Sequence, residues 1–201
     1  MFTFYKLKQG FQNLLRPTVH KLNAKGISAN QVTLAAAAVS IMLGGLLSVF
    51  AHVTWLFILL PVWMFLRMAL NAIDGMLARE HDQQTPLGAY LNELCDVIAD
   101  AALFLPFAFA FSQYAWLVLL IIFLATLSEM TGVLGLMVGA ERRYDGPMGK
   151  SDRAFAFGAL GLAYTFDLLT AQWVLFFLSI VALLTALTIA NRIQQGIRNR
   201  Q

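Results

Sequence analysis

What this 201-residue chain has little of narrows its chemistry before any motif is read. A single cysteine, Cys95, excludes an internal disulfide and any cysteine-based zinc site. Flanked by Leu94 and Asp96, it is expected to serve packing. Three histidines, His20, His52 and His81, are too scattered for a histidine metal site. There is no Walker-type glycine loop and no ordered Ser-His-Asp set, and neither an internal repeat nor a low-complexity tract. Charge is scarce: 12% of residues are charged against 59% apolar, with a mean hydropathy of +0.69. No water-soluble core of this size needs so much apolar side chain. Sixteen Phe and four Trp suit a helical bundle in a lipid bilayer instead, and no nucleic-acid partner is expected. The first residues have neither a continuous apolar core nor a small-residue cleavage site, so no cleavable signal peptide is expected.

Six apolar segments are present, at about 32–50, 55–77, 87–111, 114–138, 154–169 and 173–190. Most approach the ~20 residues that span hydrocarbon, and the fifth is short. Upstream, Phe4, Leu7, Phe11, Leu14 and Leu15 recur at helical spacing with Lys8 and Gln12 on the other side. That pattern predicts an amphipathic helix over 1–24 lying in the membrane interface. A helix packed on the bundle is the alternative. The expectation is one domain over 1–201: an all-α membrane protein with an interfacial helix at 1–24 and six transmembrane helices within 28–195.

The distribution of bases orients it. Lys6, Lys8, Arg16, Lys21 and Lys25 precede the first segment, and Arg79 follows the second. Arg142, Arg143, Lys150 and Arg153 lie between the fourth and fifth; Arg192, Arg198 and Arg200 follow the sixth. The opposite connections, near 51–54, 112–113 and 170–172, contain no Lys or Arg. Thirteen of fourteen bases thus fall on one side, which is expected to place both termini and the stretch 71–100 in the cytoplasm. Local punctuation agrees: Gly26 breaks the chain before Ser28 or Asn30 caps the first segment, and Thr85 precedes Pro86 and Gly88 at the third.

One stretch departs from the apolar background. Residues 71–100 read N-A-I-D-G-M-L-A-R-E-H-D-Q-Q-T-P-L-G-A-Y-L-N-E-L-C-D-V-I-A-D, six of the thirty acidic. Asn71 and Asp74 are three apart, and Asn92, Asp96 and Asp100 four apart, so each set shares one helix face. Oxygen ligands so arranged suit a hard cation such as magnesium or manganese. With Gly75 allowing close approach and Arg79 nearby, the stretch suits a diphosphate held by metal. Carboxylates in a membrane bundle also simply pair with bases: Arg67 with Asn71 or Asp74, or Glu129 in a structural role. For Asp74 and Asp96, at the cytoplasmic mouth of a dense cluster, function is the expectation.

These residues resemble the signature of the CDP-alcohol phosphotransferases, membrane enzymes of lipid synthesis, D-x2-D-G-x2-A-R-x8-G-x3-D-x3-D. Asp74, Gly75, Ala78, Arg79, Gly88 and Asp96 match in register without a gap. The run G-I-S-A-N-Q-V-T-L also resembles the family's approach to its first transmembrane helix. The G-A-Y-L-N-E-L-C-D-V-I-A-D run resembles the phosphatidylinositol-phosphate-synthase-like branch. The resemblance implies a donor such as CDP-diacylglycerol, a polar alcohol acceptor, release of CMP, and a homodimer. It implies divalent metal held at positions 71, 74, 92 and 96, with Asp96 as the base that activates the acceptor. Gly75, Ala78, Arg79 and Gly88 would line the CDP site, bordered by Asn30 and Thr33. Arg142, Arg143, Lys150 and Arg153 would clamp a phosphorylated acceptor, although positive-inside topology alone already calls for bases there.

Two positions break the pattern: the family's first and third aspartates are Asn71 and Asn92. An amide still ligates through its carbonyl oxygen but brings no charge and cannot bridge two cations with both oxygens. Weaker metal binding, with one ion or two, is therefore expected. A non-catalytic relative that binds CDP-lipid is the main alternative. A small ion-coupled transporter, built on Arg67, Glu129 and the acidic mouth, ranks well behind it.

Overall fold

The computed structural model describes residues 4–198, with side chains from residue 10 onward. The side chains of Phe4, Lys6, Leu7 and Lys8, and residue Arg200, lie outside the described part. Among the described residues the regular structure is entirely helical. The α-helices are α1 (Phe4–Ala24), α2 (Ala29–Val49), α3 (Leu59–Glu80), α4 (Pro86–Phe104), α5 (Pro106–Ala110), α6 (Ala115–Leu134), α7 (Lys150–Thr165) and α8 (Ala171–Arg198). Short 3-10 turns at Thr54–Ile58, Ser112–Tyr114 and Gly135–Val138 precede α3, precede α6 and follow α6.

Two compact units emerge. The first comprises residues up to Val39 together with Phe65–Ala99. Its core is Val19, Ala29, Val32, Ile73, Met76 and Leu77, with Leu15, Leu22, Ile27, Leu70 and Ala78 packed around it. Val19 is fully buried while Leu14 is exposed, so the second half of α1 spends its apolar face on this core rather than leaving it bare. Polar contacts fasten it there. Arg16 donates to both carboxylate oxygens of Glu80, at 3.3 and 3.0 Å, and Gln83 accepts from the Ala29 amide while donating to Asn23. Between α1 and α2 the chain reverses at Gly26, whose φ of +73° suits a residue without Cβ. Ser28 then caps α2: its hydroxyl accepts from the Gln31 amide, and the Gln31 side chain accepts from the Ser28 amide.

The second unit comprises Ser40–Met64 and the chain from Asp100 onward. Its core is aromatic. Phe104 stacks on Phe157 at 3.9 Å, and Phe57 meets Phe107 and Tyr164 edge-on at 5.3 and 4.9 Å. Half-buried Tyr and Trp side chains find partners: Tyr164 donates to the Ala51 carbonyl and Trp63 to the Ser40 hydroxyl. Small residues set the spacing. A Cβ on Gly161 would lie 3.1 Å from Leu60, and one on Gly44 would collide with the Ala102 carbonyl.

Among the described residues, four helical stretches are long and apolar enough to cross a membrane: Ala29–Val49, Thr54–Glu80, Ser112–Val138 and Ala171–Arg198. The other two expected segments differ for visible reasons. The third breaks at Leu105, because Pro106 has no amide to donate and opens α5 instead; α4 also carries Glu93, Asp96 and Asp100. The fifth, α7, has 16 residues and starts at Lys150, where the Asp152 carboxylate accepts from the Gly149 amide at 2.9 Å. The sixth runs beyond the expected 190 to Arg198.

Candidate functional site

In the first unit, helical spacing puts Arg67, Asn71 and Asp74 on one face of α3 and Asn92 and Asp96 on one face of α4. A hydrogen bond joins the two faces. Asn71 Nδ2 donates to Asp96 Oδ1 at 3.1 Å, and Arg67 Nη2 donates to the same oxygen at 3.1 Å. Arg67 also reaches the Asp96 backbone carbonyl, at 3.1 Å. Its side chain is 5% exposed and that of Asp96 20%, so this ion pair is largely withdrawn from water. The expected partners of Arg67 were Asn71 and Asp74, along its own helix. The structure also carries it across to Asp96 on α4, a contact that helical spacing along α3 does not announce.

Asp74 is 5% exposed. The Thr33 hydroxyl lies 2.8 Å from Asp74 Oδ2 and 3.1 Å from the Ala29 carbonyl. Donation to the nearer, charged acceptor is favoured. Thr33, expected beside a nucleotide, thus orients a carboxylate. Nothing in the local sequence announces this contact, which spans forty-one residues.

The other positions fall around this pair of faces. A Cβ at Gly75 would sit 2.9 Å from Arg79 Nη2, so the guanidinium of Arg79 lies over the bare glycine backbone one turn earlier. A Cβ at Gly88 would meet Asn30 Oδ1 at 2.8 Å and Thr85 Oγ1 at 3.1 Å. Gly88 therefore lets the start of α4 close onto the start of α2, with Thr85 accepting from the Gly88 amide as the cap of α4. Ala78 packs against the core of the unit.

The donors fit a divalent cation by chemistry. Asp74, Asp96, Asn71 and Asn92 are oxygen ligands on adjacent turns of two helices tied at 3.1 Å, and hard cations accept carboxylate and amide oxygens together. Carboxylates are few, however: among the described residues, no three of His, Cys, Asp or Glu are grouped to hold an ion.

The second unit places the expected acceptor clamp. Arg153 is fully buried and donates to Glu129 Oε1 at 2.7 Å and to the Met148 carbonyl at 3.0 Å. Arg142 lies 3.5 Å from Glu129 Oε2. Arg143 makes a two-pronged contact with Asp145, at 2.8 and 3.0 Å, which holds the Asp145 carboxyl below the usual carboxylate range. Lys150, half-buried, opens α7. Sequence reasoning left Arg192 among the orienting bases, yet it is buried. It lies 3.4 Å from Glu129 and donates to the Ser128 and Asp145 carbonyls. Glu129 therefore gathers Arg142, Arg153 and Arg192, and pins the 139–149 connection to α6 and α8.

Known proteins resemble the chain in sequence and in fold. It is 50% identical over 190 residues, covering 94% of both chains, to inner membrane protein YnbA of Escherichia coli K12. A phosphatidylinositol phosphate synthase of Corynebacterium glutamicum is 31% identical over 93 residues, 46% of this chain and 41% of that one. In fold, the chain matches the phosphatidylinositol phosphate synthase of Mycobacterium tuberculosis, crystallised with manganese and citrate. The TM-score is 0.76 at 17% identity, over 91% of this chain and 88% of that one. The CDP-alcohol phosphatidyltransferase family description matches residues 26–190, which take in α2 and the whole polar stretch of α3 and α4. The chain belongs to the CDP-alcohol phosphatidyltransferase family.

Proposed function

We propose that this protein transfers a substituted phosphate, phosphatidyl when the donor is CDP-diacylglycerol, from a CDP-alcohol to a polar alcohol in the bacterial inner membrane. The observation that carries this reading is the hydrogen bond between Asn71 and Asp96, which brings the two halves of the signature, on α3 and α4, to one place. The acceptor hydroxyl attacks the β-phosphorus of the donor. Its oxygen–phosphorus bond forms as the bond to the bridging oxygen breaks, CMP leaves, and the hydroxyl proton passes to the Asp96 carboxylate. A bound magnesium or manganese ion would offset charge on the diphosphate, held through Asp74 and Asp96 with amide oxygens of Asn71 and Asn92. Manganese in the mycobacterial structure supports that choice of metal.

The Arg79 guanidinium over Gly75 supplies a phosphate-binding group beside a stretch of backbone that carries no side chain. Gly88 and Asn30 border the same CDP site, with Ala78 behind it. Arg142 and Lys150, with Arg143 and Arg153 anchoring the connection, are proposed to hold a phosphorylated acceptor. Six membrane-crossing helices, both termini in the cytoplasm, α1 in the interface and a homodimer complete the reading.

A second reading has its own observation. Arg67 and Asn71 both bond the oxygen of the intended base, which would suit a CDP-lipid-binding relative that no longer turns over. One experiment separates them: CMP release from CDP-diacylglycerol with magnesium or manganese, across a panel of free and phosphorylated alcohols. Release above an Asp96→Ala control is expected. Binding of CDP-diacylglycerol without release, for every acceptor and both metals, would establish the second reading.

A further inference from the structure

Ala29 opens α2, so its backbone amide has no acceptor within the helix, and the residue is buried. The acceptor comes from far along the chain: Gln83 Oε1, at 2.8 Å and 54 residues away. A backbone N–H can only donate, so the Gln83 side chain must turn its oxygen to Ala29 and its nitrogen elsewhere. That nitrogen donates to Asn23 Oδ1 on α1, at 2.9 Å. Asn23 thus holds the Gln83 carboxamide in the one orientation that serves α2.

The end of α3 delivers Gln83 to this point. The His81 amide donates to the Leu77 carbonyl and the Gln83 amide to the Ala78 carbonyl, with Asp82 between them at a φ of +53°. This is the Schellman pattern, in which a left-handed residue ends the helix and the residue after it bonds back to the last turn. The tie therefore joins a hydrogen-bonded turn on α3 to the first residue of α2. Asn30 follows Ala29 directly, and a Cβ at Gly88 would lie 2.8 Å from its Oδ1. Arg79 is four residues before Gln83 and Gly88 five after it.

We propose that Gln83 is a positioning residue for the nucleotide donor. Its carboxamide sets the separation of the segments that carry Asn30, Arg79 and Gly88, and α1 acts on the site through Asn23. This rests on reading those three residues as the border of a CDP site. In this arrangement α1 braces the donor pocket, whatever its relation to the membrane surface.

Donor binding, measured without acceptor so that no turnover is needed, tests it. Full-length protein in nanodiscs is titrated with dioctanoyl CDP-diacylglycerol by calorimetry in the presence of Mn2+, well below each variant's unfolding midpoint. Gln83→Met keeps the side-chain length and loses both hydrogen bonds; its Kd is expected to rise about tenfold. Asn23→Leu frees the carboxamide and should raise Kd about threefold, whereas Asn23→Asp keeps the accepting oxygen and should restore it. Arg16→Met cuts the separate Arg16–Glu80 tie of α1 and is expected to leave Kd unchanged. A wild-type Kd in Gln83→Met overturns the proposal, as does an equal loss in Arg16→Met, which would mean that any loosening of α1 suffices. If Gln83→Met does not fold, Asn23→Leu against Asn23→Asp decides: equal affinities reject the brace. A wild type that binds no CDP-diacylglycerol removes the CDP site and this inference with it. Binding with the expected variant pattern but without CMP release keeps this inference and sinks the transferase reading.

Discussion

Asp96 and Glu129 are both carboxylates set against arginine inside helical bundles, and their surroundings separate their roles. Asp96 retains 20% side-chain exposure, the access a base needs, whereas Glu129 is enclosed by three guanidiniums, two of them essentially without solvent. Removing one partner of such a buried network leaves the others charged and uncompensated. Glu129→Gln is therefore expected to cost ~3–5 kcal/mol, read as a lowered thermal unfolding midpoint in detergent. Replacing Glu129 and Arg153 together by methionine should recover part of that loss, and no recovery would reject the pairing. Thr33→Val, which takes the hydroxyl from Asp74 at nearly constant volume, is expected to cost ~1–3 kcal/mol, measured the same way. Asp145 gives a pH prediction. Its folded pKa is depressed, chiefly by the Arg143 hydrogen bond, so its contribution is present above the ordinary aspartate value near pH ~4 and is lost as pH falls through the lower folded value. The pair is only partly buried, so under about 1 kcal/mol is at stake. Pepsin nicking of the 139–149 connection should stay flat down to about pH 4 in the wild type and rise below it. Asp145→Asn should nick more readily above that pH and lose the step.

At the scale of elements, the helix starts and breaks were mostly legible. Ser28 and Thr85 act where their local chemistry says they should, since caps depend on neighbours within four residues, whereas the break at Pro106 falls inside a segment read as continuous from 87 to 111. Helix contacts were not legible, and adjacent glycines in α2 show why. A Cβ on Gly44 would collide with the Ala102 backbone carbonyl, while one on Gly45 meets nothing within 4 Å. Gly44→Ala should thus destabilise by ~1–3 kcal/mol through overpacking against backbone. Gly45→Ala should be neutral or stabilise by ~0.5–1 kcal/mol, because glycine in a helix interior forgoes helix propensity. The unfolding midpoint of Gly44→Ala is expected to fall and that of Gly45→Ala to hold or rise; equal shifts would discount the close approach of α2 and α4 at Ala102.

For the molecule as a whole, the proposed topology predicts that reporters fused after residues 81, 145 or 198 read cytoplasmic and those inserted near 52 or 171 read external. A cytoplasmic signal near 171 would leave α7 on one side of the membrane. Composition and the lopsided placement of bases determined that the chain is a helical protein rich in membrane-length segments. The register of Asp74, Gly75, Ala78, Arg79, Gly88 and Asp96 determined its family. Those properties are legible because they depend on spacing along one chain, which the 3.6-residue helical period converts directly into faces. The tertiary structure alone decided which charges meet. Arg67 bonds Asp96 across 29 residues, Thr33 bonds Asp74 across 41, and Arg192 reaches Glu129 from another helix altogether. In a low-dielectric interior a guanidinium is held by whichever carboxylate packing brings within about 3 Å, and sequence spacing carries no record of that choice.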